Sequence, residues 1–145
     1  MSQNQKTKIM VFGTFDMIHL GHLNFFVQAR KLAPNPFLVV SIARDKNVFR
    51  IKGKLPKNIE LKRLKLVKNV SYVDKAILGG VRNHLTHILK EKPSIIALGY
   101  DQKAYVKGLR VDLLREGLSP RIVRLKPYKE RVYKTSLLYR NKKDK

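Results

Sequence analysis

Short apolar runs rich in β-branched residues alternate with helix-spaced stretches along the chain, and few folds accept that order. Residues 8–13 read as a buried strand, and 22–32 as a helix with Phe25, Phe26, Ala29 and Leu32 on one side. Pro34-Asn35-Pro36 breaks that helix before a second strand at 37–43. Residues 44–57 are polar and basic and carry a glycine, so they read as a loop; 59–67 shows helical spacing at Leu61, Leu64 and Val67. A third strand at 73–78 ends on Gly79-Gly80, a helix at 81–92 stops at Pro93, and a fourth strand at 94–98 ends at Gly99. Residues 102–116 read as a helix interrupted by Gly108 and capped by Gly117, then a fifth strand at 121–125 and the start of a last helix at 134–139. This alternation calls for right-handed crossovers, so the expected fold is α/β: a single doubly wound parallel sheet covered on both faces.

Ligands of such sheets sit at the carboxyl ends of the strands. Four features fall on that edge: residues 13–22, Arg44-Asp45 with the loop behind them, Gly99-Tyr100-Asp101-Gln102, and Pro127-Tyr128. One site is therefore expected. The 145 residues show no repeat and no low-complexity linker, which predicts one domain over 8–140 between a flexible tail at 1–7 and a basic tail at 141–145. Cysteine is absent, which excludes disulfides and thiolate metal sites and fits a reducing, cytoplasmic setting. The longest apolar runs are far too short to cross a bilayer, and residues 1–8 lack a signal-peptide core, so no membrane partner is expected. Against 10 Asp and Glu stand 32 Lys and Arg, a formal charge of +22. That balance attracts phosphate-bearing partners, nucleic acid or small nucleotides, while a plain solvated surface accounts for such runs equally well. Clustering of the charge in 44–68 and 121–145 keeps the phosphate reading in play.

The chemistry concentrates where the first strand turns into the first helix, in Gly13-Thr14-Phe15-Asp16 and the His19-Leu20-Gly21-His22 that follows. Nucleotidyl transfer needs hydrogen-bond donors on the oxygens of a pentacoordinate α-phosphorus and on the departing pyrophosphate. Two imidazoles one helical turn apart supply both, Gly21 lets phosphate approach the backbone, and a helix start offers N–H groups to an anion. A pair of surface histidines is the plainer reading, and the Gly-Thr-Phe-Asp just upstream favours the functional one. No G-x-x-x-x-G-K-[ST] or G-x-G-x-x-G occurs, so a kinase or dinucleotide dehydrogenase lacks its handle.

Residues 13–25 resemble the signature of the cytidylyltransferase-like nucleotidyltransferases, which carry H-x-G-H at the first strand–helix junction of a Rossmann-like sheet. The likeness covers most of the chain. Residues 41–45 resemble the family's second-strand end, Glu60 and Arg63 its E-x-x-R helix, Tyr72-Val73-Asp74 its third-strand entry, and 98–102 its fourth-strand end. Within the superfamily, Leu98-Gly99-Tyr100-Asp101-Gln102 resembles the archaeal-type FAD synthases, which transfer AMP from ATP to FMN. Tyr133-Lys134-Thr135-Ser136 resembles the Lys-Ser-Thr segment opening their last helix, with Thr and Ser exchanged. Glycerol-3-phosphate cytidylyltransferases carry Arg-Thr-x-Gly-Ile-Ser-Thr-Thr instead, and residues 129–136 lack its glycine and most of the rest.

The resemblance implies that His19 and His22 stabilise the transition state and that Gly13, Thr14 and Phe15, with Leu20 and Gly21, seat the nucleotide. It also implies a lysine reaching over the phosphates from a mobile lid, Lys52 or Lys54, the choice between them staying open. Asp101 can hold a ribose hydroxyl or base amine, or simply cap a helix. Thr135 and Ser136 open a helix and can grip phosphate or cap it, and Tyr128 can stack on adenine or lie on the surface. Arg63 reads as a phosphate ligand held by Glu60 or as a surface i,i+3 pair, and Asp16 as orienting the site or the metal, or shaping the turn. His84 and His87 share an i,i+3 spacing, but no local carboxylate or cysteine joins them, so no protein-held metal is expected there. Mg²⁺ or another divalent cation is expected to arrive with the triphosphate.

The implied activity is adenylyl transfer from ATP to FMN, giving FAD and pyrophosphate. The alternatives are the same chemistry with CTP and glycerol 3-phosphate or a similar phosphorylated alcohol, and a basic nucleic-acid-binding protein that kept the fold without the reaction. Homodimers are usual in the resembling families, so a homodimer is an expectation as well.

Overall fold

The computed structural model describes residues 5–80, 84–100, 102 and 106–127. Five parallel strands form one sheet in the order β3-β2-β1-β4-β5: β1 is Thr7–Gly13, β2 Pro36–Ile42, β3 Lys75–Leu78, β4 Ile95–Leu98 and β5 Arg121–Arg124. The helices are α1 (Leu20–Arg30), α2 (Asp45–Lys52), α3 (Glu60–Lys68), α4 (His84–Glu91) and α5 (Val106–Arg115). The chain runs outward from β1 through β2 to β3, then returns to β1's other side for β4 and β5. That reversal opens a crevice at the carboxyl ends of β1 and β4. Gln102 spans it: its side-chain amide donates to the Phe12 carbonyl at 2.8 Å and accepts from the Gly99 N–H at 2.8 Å.

Two apolar cores follow from the pleat. Ile9, Val11, Leu38, Val40 and Ile42 face the side covered by α1 and α3, with Phe26, Ala29 and Val67 packed on them. Met10, Val39, Ile96 and Leu98 face the other side, under Ile88 of α4 and Leu109 and Leu113 of α5. Ser41 falls on this second face, the one buried polar side chain among the described strand residues. Glu91, buried at the end of α4, receives Lys8 of β1 at 3.4 Å and Lys75 of β3 at 2.9 Å. Burial alone would raise its carboxyl, and the two ammonium groups outweigh that and hold it below its ordinary value.

The expected doubly wound sheet is the observed one, and the main difference lies at 44–57. Most of that expected loop is helix α2, entered from Arg44 and ended by Gly53 in the left-handed region at φ 78°. Its signal is weak because only Asn47 and Val48 turn inward, while Phe49 and Ile51 are exposed. What starts α2 is not in its own sequence. The Asp45 N–H donates to the Glu60 carboxylate at 2.9 Å, and the Glu60 N–H donates to the Asp45 carboxylate at 3.1 Å. Each helix start is thus capped by the first residue of the other, where a carboxylate also meets the positive end of the helix dipole. The expected helix at 134–139 lies outside the described residues.

Arg63 completes the network, fully buried. Its guanidinium donates to the Asn58 carbonyl at 3.0 Å, the Thr14 carbonyl at 2.8 Å and the Asp45 carboxylate at 2.7 Å. The expected Glu60–Arg63 pairing is not formed: Glu60 takes Arg44 at 3.0 Å instead. Replacing Arg63 by Met strands three buried or half-buried acceptors, which should destabilise the fold by about 3–5 kcal/mol. Thermal unfolding followed by circular dichroism should then show a midpoint lowered by roughly 10 °C. A melt within a few degrees of the parent protein's would show that the network is not structural.

Candidate active site

The turn from β1 into α1 is folded tightly. Phe15 has φ 53°, a left-handed backbone that costs a non-glycine residue about 1–2 kcal/mol. The strain turns its ring back over Gly13, where an added Cβ would stand 2.6 Å from ring atoms, so only glycine fits. The buried Phe15 ring packs on Phe26 and meets the edge of His22 with centroids 5.3 Å apart. Hydrophobic burial thereby fixes the imidazole in place.

His19 is the N-cap of α1, in extended backbone. Its Nδ1 accepts from the Gly21 N–H at 3.1 Å, and the His22 Nδ1 accepts from the His19 N–H at 3.3 Å. The two rings stack with centroids 3.8 Å apart and planes 21° from parallel. Both Nδ1 atoms being acceptors, each neutral ring carries its proton on Nε2. Burial pushes His19 below its ordinary pKa. Burial, reinforced by the charge of His19 and opposed by a hydrogen bond to the Met17 backbone, pushes His22 from 6.5 down to about 4. The pair is therefore neutral at pH 7 without ligand, not the pair of cations that phosphate chemistry alone would lead one to expect.

Asp16 anchors the turn from the other side. Its carboxylate accepts the Lys57 and Asn58 N–H groups at 2.7 and 2.8 Å, and the Asn58 amide donates back to the Asp16 carbonyl at 2.6 Å. Burial alone would raise the carboxyl, and those N–H groups with the Arg63 charge hold it below its ordinary value. Arg63 holds the Thr14 carbonyl next door, so both residues grip the turn that carries the histidines.

A cavity of about 130 Å³ opens at the ends of β1, β2 and β3, reached from Gly13 and Thr14 and walled by Phe12, Val48 and Ile51. Ser41 and His87 lie in its lining, joined Oγ to Nε2 at 2.9 Å. Lys52, in the last turn of α2, stands at the same cavity, whereas Lys54 is exposed beyond the Gly53 cap and lines no part of it. Asn47 donates to the Gly80 carbonyl at 2.7 Å and Arg44 to the Gly79 carbonyl at 2.9 Å, so α2 is pinned to the end of β3. The structure brings Gly13, Thr14 and Lys52 together at the cavity, and Phe15, His19, Gly21 and His22 together at the turn into α1, with Leu20 exposed on the first turn of α1. Asp101, Tyr128, Thr135 and Ser136 lie outside the described residues.

Sequence reasoning passed over Ser41, Asn47 and His87 as parts of a site. The signal was present for Ser41, a polar residue inside an aliphatic strand. His87 was visible only as half of a metal pair with His84, while its partner lies 46 residues upstream.

Sequence comparison agrees with this geometry. The cytidylyltransferase-like family matches residues 10–141, and the chain belongs to that family. Among its relatives are the FAD synthase of Korarchaeum cryptofilum, 45% identical over 81% of this chain and 80% of the relative, and that of Archaeoglobus profundus, 43% identical over 89% and 81%. A solved structure from Thermoplasma volcanium, described as a lipopolysaccharide core biosynthesis protein, superposes with a TM-score of 0.77 at 37% identity, covering 85% of this chain and 98% of that one.

The low pKa of His22 sets a pH dependence. The unfolded chain takes up this proton near pH 6.5 and the folded one near 4, so the stability held at this site is complete above pH 6.5 and is lost as pH falls toward 4. In proton NMR the His22 ring of the free protein should remain neutral at pH 6, with a midpoint near 4. A midpoint at or above 6 would mean that the stacked, buried arrangement does not persist in solution.

Proposed function

We propose that the chain is an FMN adenylyltransferase, joining the AMP moiety of ATP to FMN with release of pyrophosphate. The transfer chemistry is supported by the stacked His19–His22 pair at the start of α1, and the choice of acceptor by FAD synthase relatives at 45% and 43% identity. An oxygen of the FMN phosphate attacks the α-phosphorus of ATP, a new P–O bond forms in line with the departing bond, and the bridging oxygen leaves on pyrophosphate. No covalent enzyme intermediate is needed, so the protein contributes position and electrostatics.

In this reading His19 and His22 donate from Nε2 to the α-phosphate oxygens and the leaving pyrophosphate, the His22 donor exchanging the Met17 backbone for phosphate. Neutral imidazoles suit the task. They admit a triphosphate by hydrogen bonding, and its negative charge then raises their pKa, so positive charge builds where negative charge is developing. The strained Phe15 turn and the Gly13–Thr14 backbone seat the nucleotide, and Asp16 and Arg63 act as orienting groups that hold that turn. Between the two lysines, Lys52 is assigned to the phosphates in preference to Lys54, a choice supported by its place at the cavity beside Gly13. Asp101, Tyr128, Thr135 and Ser136 remain assigned to the nucleotide as the family resemblance implies.

Among the described residues no group of three or more His, Cys, Asp or Glu side chains could hold a metal ion. A divalent cation would be carried on the triphosphate oxygens, where Mg²⁺ would offset the charge of the phosphates. No helix among the described residues is long and apolar enough to cross a membrane, and the reaction's partners are water-soluble.

Pyrophosphate release should be measured with Mg²⁺ and ATP or CTP, against FMN or glycerol 3-phosphate, in all four pairings. Turnover with ATP and FMN alone is expected, and CTP-dependent turnover would overturn the reading. Changing His19 or His22 to Ala should lower kcat by roughly a hundred- to a thousandfold with the fold intact. Lys52→Ala should lower it by at least about tenfold and Lys54→Ala by less than about twofold, and the reverse order would reassign the lid.

A further inference from the structure

We propose that the Ser41–His87 pair reads the pyrimidine edge of the flavin ring in the cavity at the ends of β1, β2 and β3. This rests on FMN being the acceptor, and it assigns to the site two side chains that lie on different elements and outside the H-x-G-H turn.

Position comes first. The cavity meets Gly13 and Thr14, the backbone beside which the α-phosphate reacts, and extends away from α1 toward α2 and α4. A ring lodged there leaves the ribityl chain free to lead the acceptor phosphate back over Gly13 toward the histidines. At about 130 Å³ the cavity takes one end of a fused ring system, and the remainder lies at its open mouth.

The lining decides which end. Phe12 and Val48 supply aromatic and aliphatic walls suited to the faces of a flat ring, with the exposed Ile51 at the open side. Against that apolar background Ser41 Oγ and His87 Nε2 form one polar feature, 2.9 Å apart. Phe12 meets the His87 ring edge-on, with centroids 6.2 Å apart and planes at 87°, which orients the imidazole. His87 Nε2 is taken up by Ser41 and His87 Nδ1 is buried, so the pair presents the Ser41 hydroxyl: when it donates to Nε2 its oxygen accepts from a flavin N3–H, and when Nε2 donates to it the hydroxyl donates to a flanking carbonyl. The dimethylbenzene end asks for neither.

The pair ties β2 to α4 and puts a hydroxyl at the cavity on an otherwise aliphatic strand face. Val39, the preceding residue on the same face of β2, is aliphatic, whereas the buried Ser41 hydroxyl finds its partner in His87. Room has also been kept open around it. A Cβ on Gly79 would press to 3.3 Å from Ser41 Oγ while meeting His87 Nε2 at an ordinary 3.8 Å, so the glycine relieves crowding at the hydroxyl.

The test uses the full-length protein with Ser41→Val, His87→Leu and His87→Gln. FMN affinity is read by flavin fluorescence, and KM for ATP and FMN by pyrophosphate release. Both apolar variants should weaken FMN binding and raise KM for FMN roughly tenfold, the effect of one lost buried hydrogen-bond partner, while KM for ATP moves by less than about twofold. His87→Gln, which retains a donor and an acceptor, should restore part of the loss. The parent protein should also discriminate against N3-methylated FMN, and His87→Leu should not. If the parent turns over FMN and both apolar variants keep its affinity, or lose ATP affinity equally, the pocket assignment fails and the activity stands. If the parent neither binds nor turns over FMN while another acceptor works, the acceptor reading fails and the pocket assignment goes with it.

Discussion

The site hangs on a buried cation. Arg63 has no exposure to solvent, and its guanidinium reaches three separate segments: the Thr14 carbonyl at the end of β1, the Asn58 carbonyl before α3, and the Asp45 carboxylate that begins α2. Burying a guanidinium is tolerable only because each arm finds an acceptor, one of them charged. The consequence is mechanical. Asp45 and Glu60 cap each other's helices, Arg44 closes the ring onto Glu60, and Asp16 takes the N–H groups of Lys57 and Asn58. A turn that is strained at Phe15 is thereby held from two sides, and the histidines it carries inherit that rigidity.

Strain at Phe15 and the depressed basicity of His22 are two faces of the same packing. Folding the Phe15 ring back over Gly13 puts an aromatic edge against the His22 imidazole and excludes water from it. Exclusion of water disfavours the charged ring, and the stacked His19 adds a like-charge penalty. Such a pair waits uncharged and becomes better able to hold charge only when an anion arrives. A site that stored two cations here would pay for them in stability at all times.

How much of this could be read from the sequence depends on where each residue finds its partner. The strands were legible because β-branched runs buried on both faces leave a continuous apolar signature, and the histidine turn because its residues are contiguous. Helix α2 was not, since its start is stabilised by Glu60, which lies 15 residues further along the chain, and its apolar Phe49 and Ile51 are exposed. Arg63 was seen, but helical spacing pointed to Glu60, whereas the carboxylate it binds comes from Asp45, 18 residues away. His87 was weighed for a metal with its helical neighbour because spacing says nothing about Ser41 across the sheet. Local rules identified the residue types, and tertiary topology chose the partners.

The charge balance acquires a structural meaning once the acids are followed. Asp16, Asp45, Glu60, Asp74 and Glu91 are all engaged internally, in helix starts, turns or strand ends, and Asp74 both pairs with Arg30 and accepts the Leu38 N–H. These carboxylates spend their charge on arginines and lysines already inside the scaffold. Ten carboxylates in all stand against 32 Lys and Arg in a chain of formal charge +22, and the α2–α3 segment beside the cavity carries Lys46, Arg50, Lys52, Lys54 and Lys57. A field of that sign concentrates phosphorylated molecules of either kind around the crevice, at a rate set by ionic strength, without distinguishing one from another. A long-range field cannot tell one phosphorylated molecule from another, so discrimination must come from short-range groups within the cavity, where the hydrogen-bonded Ser41 and His87 interrupt a largely apolar lining.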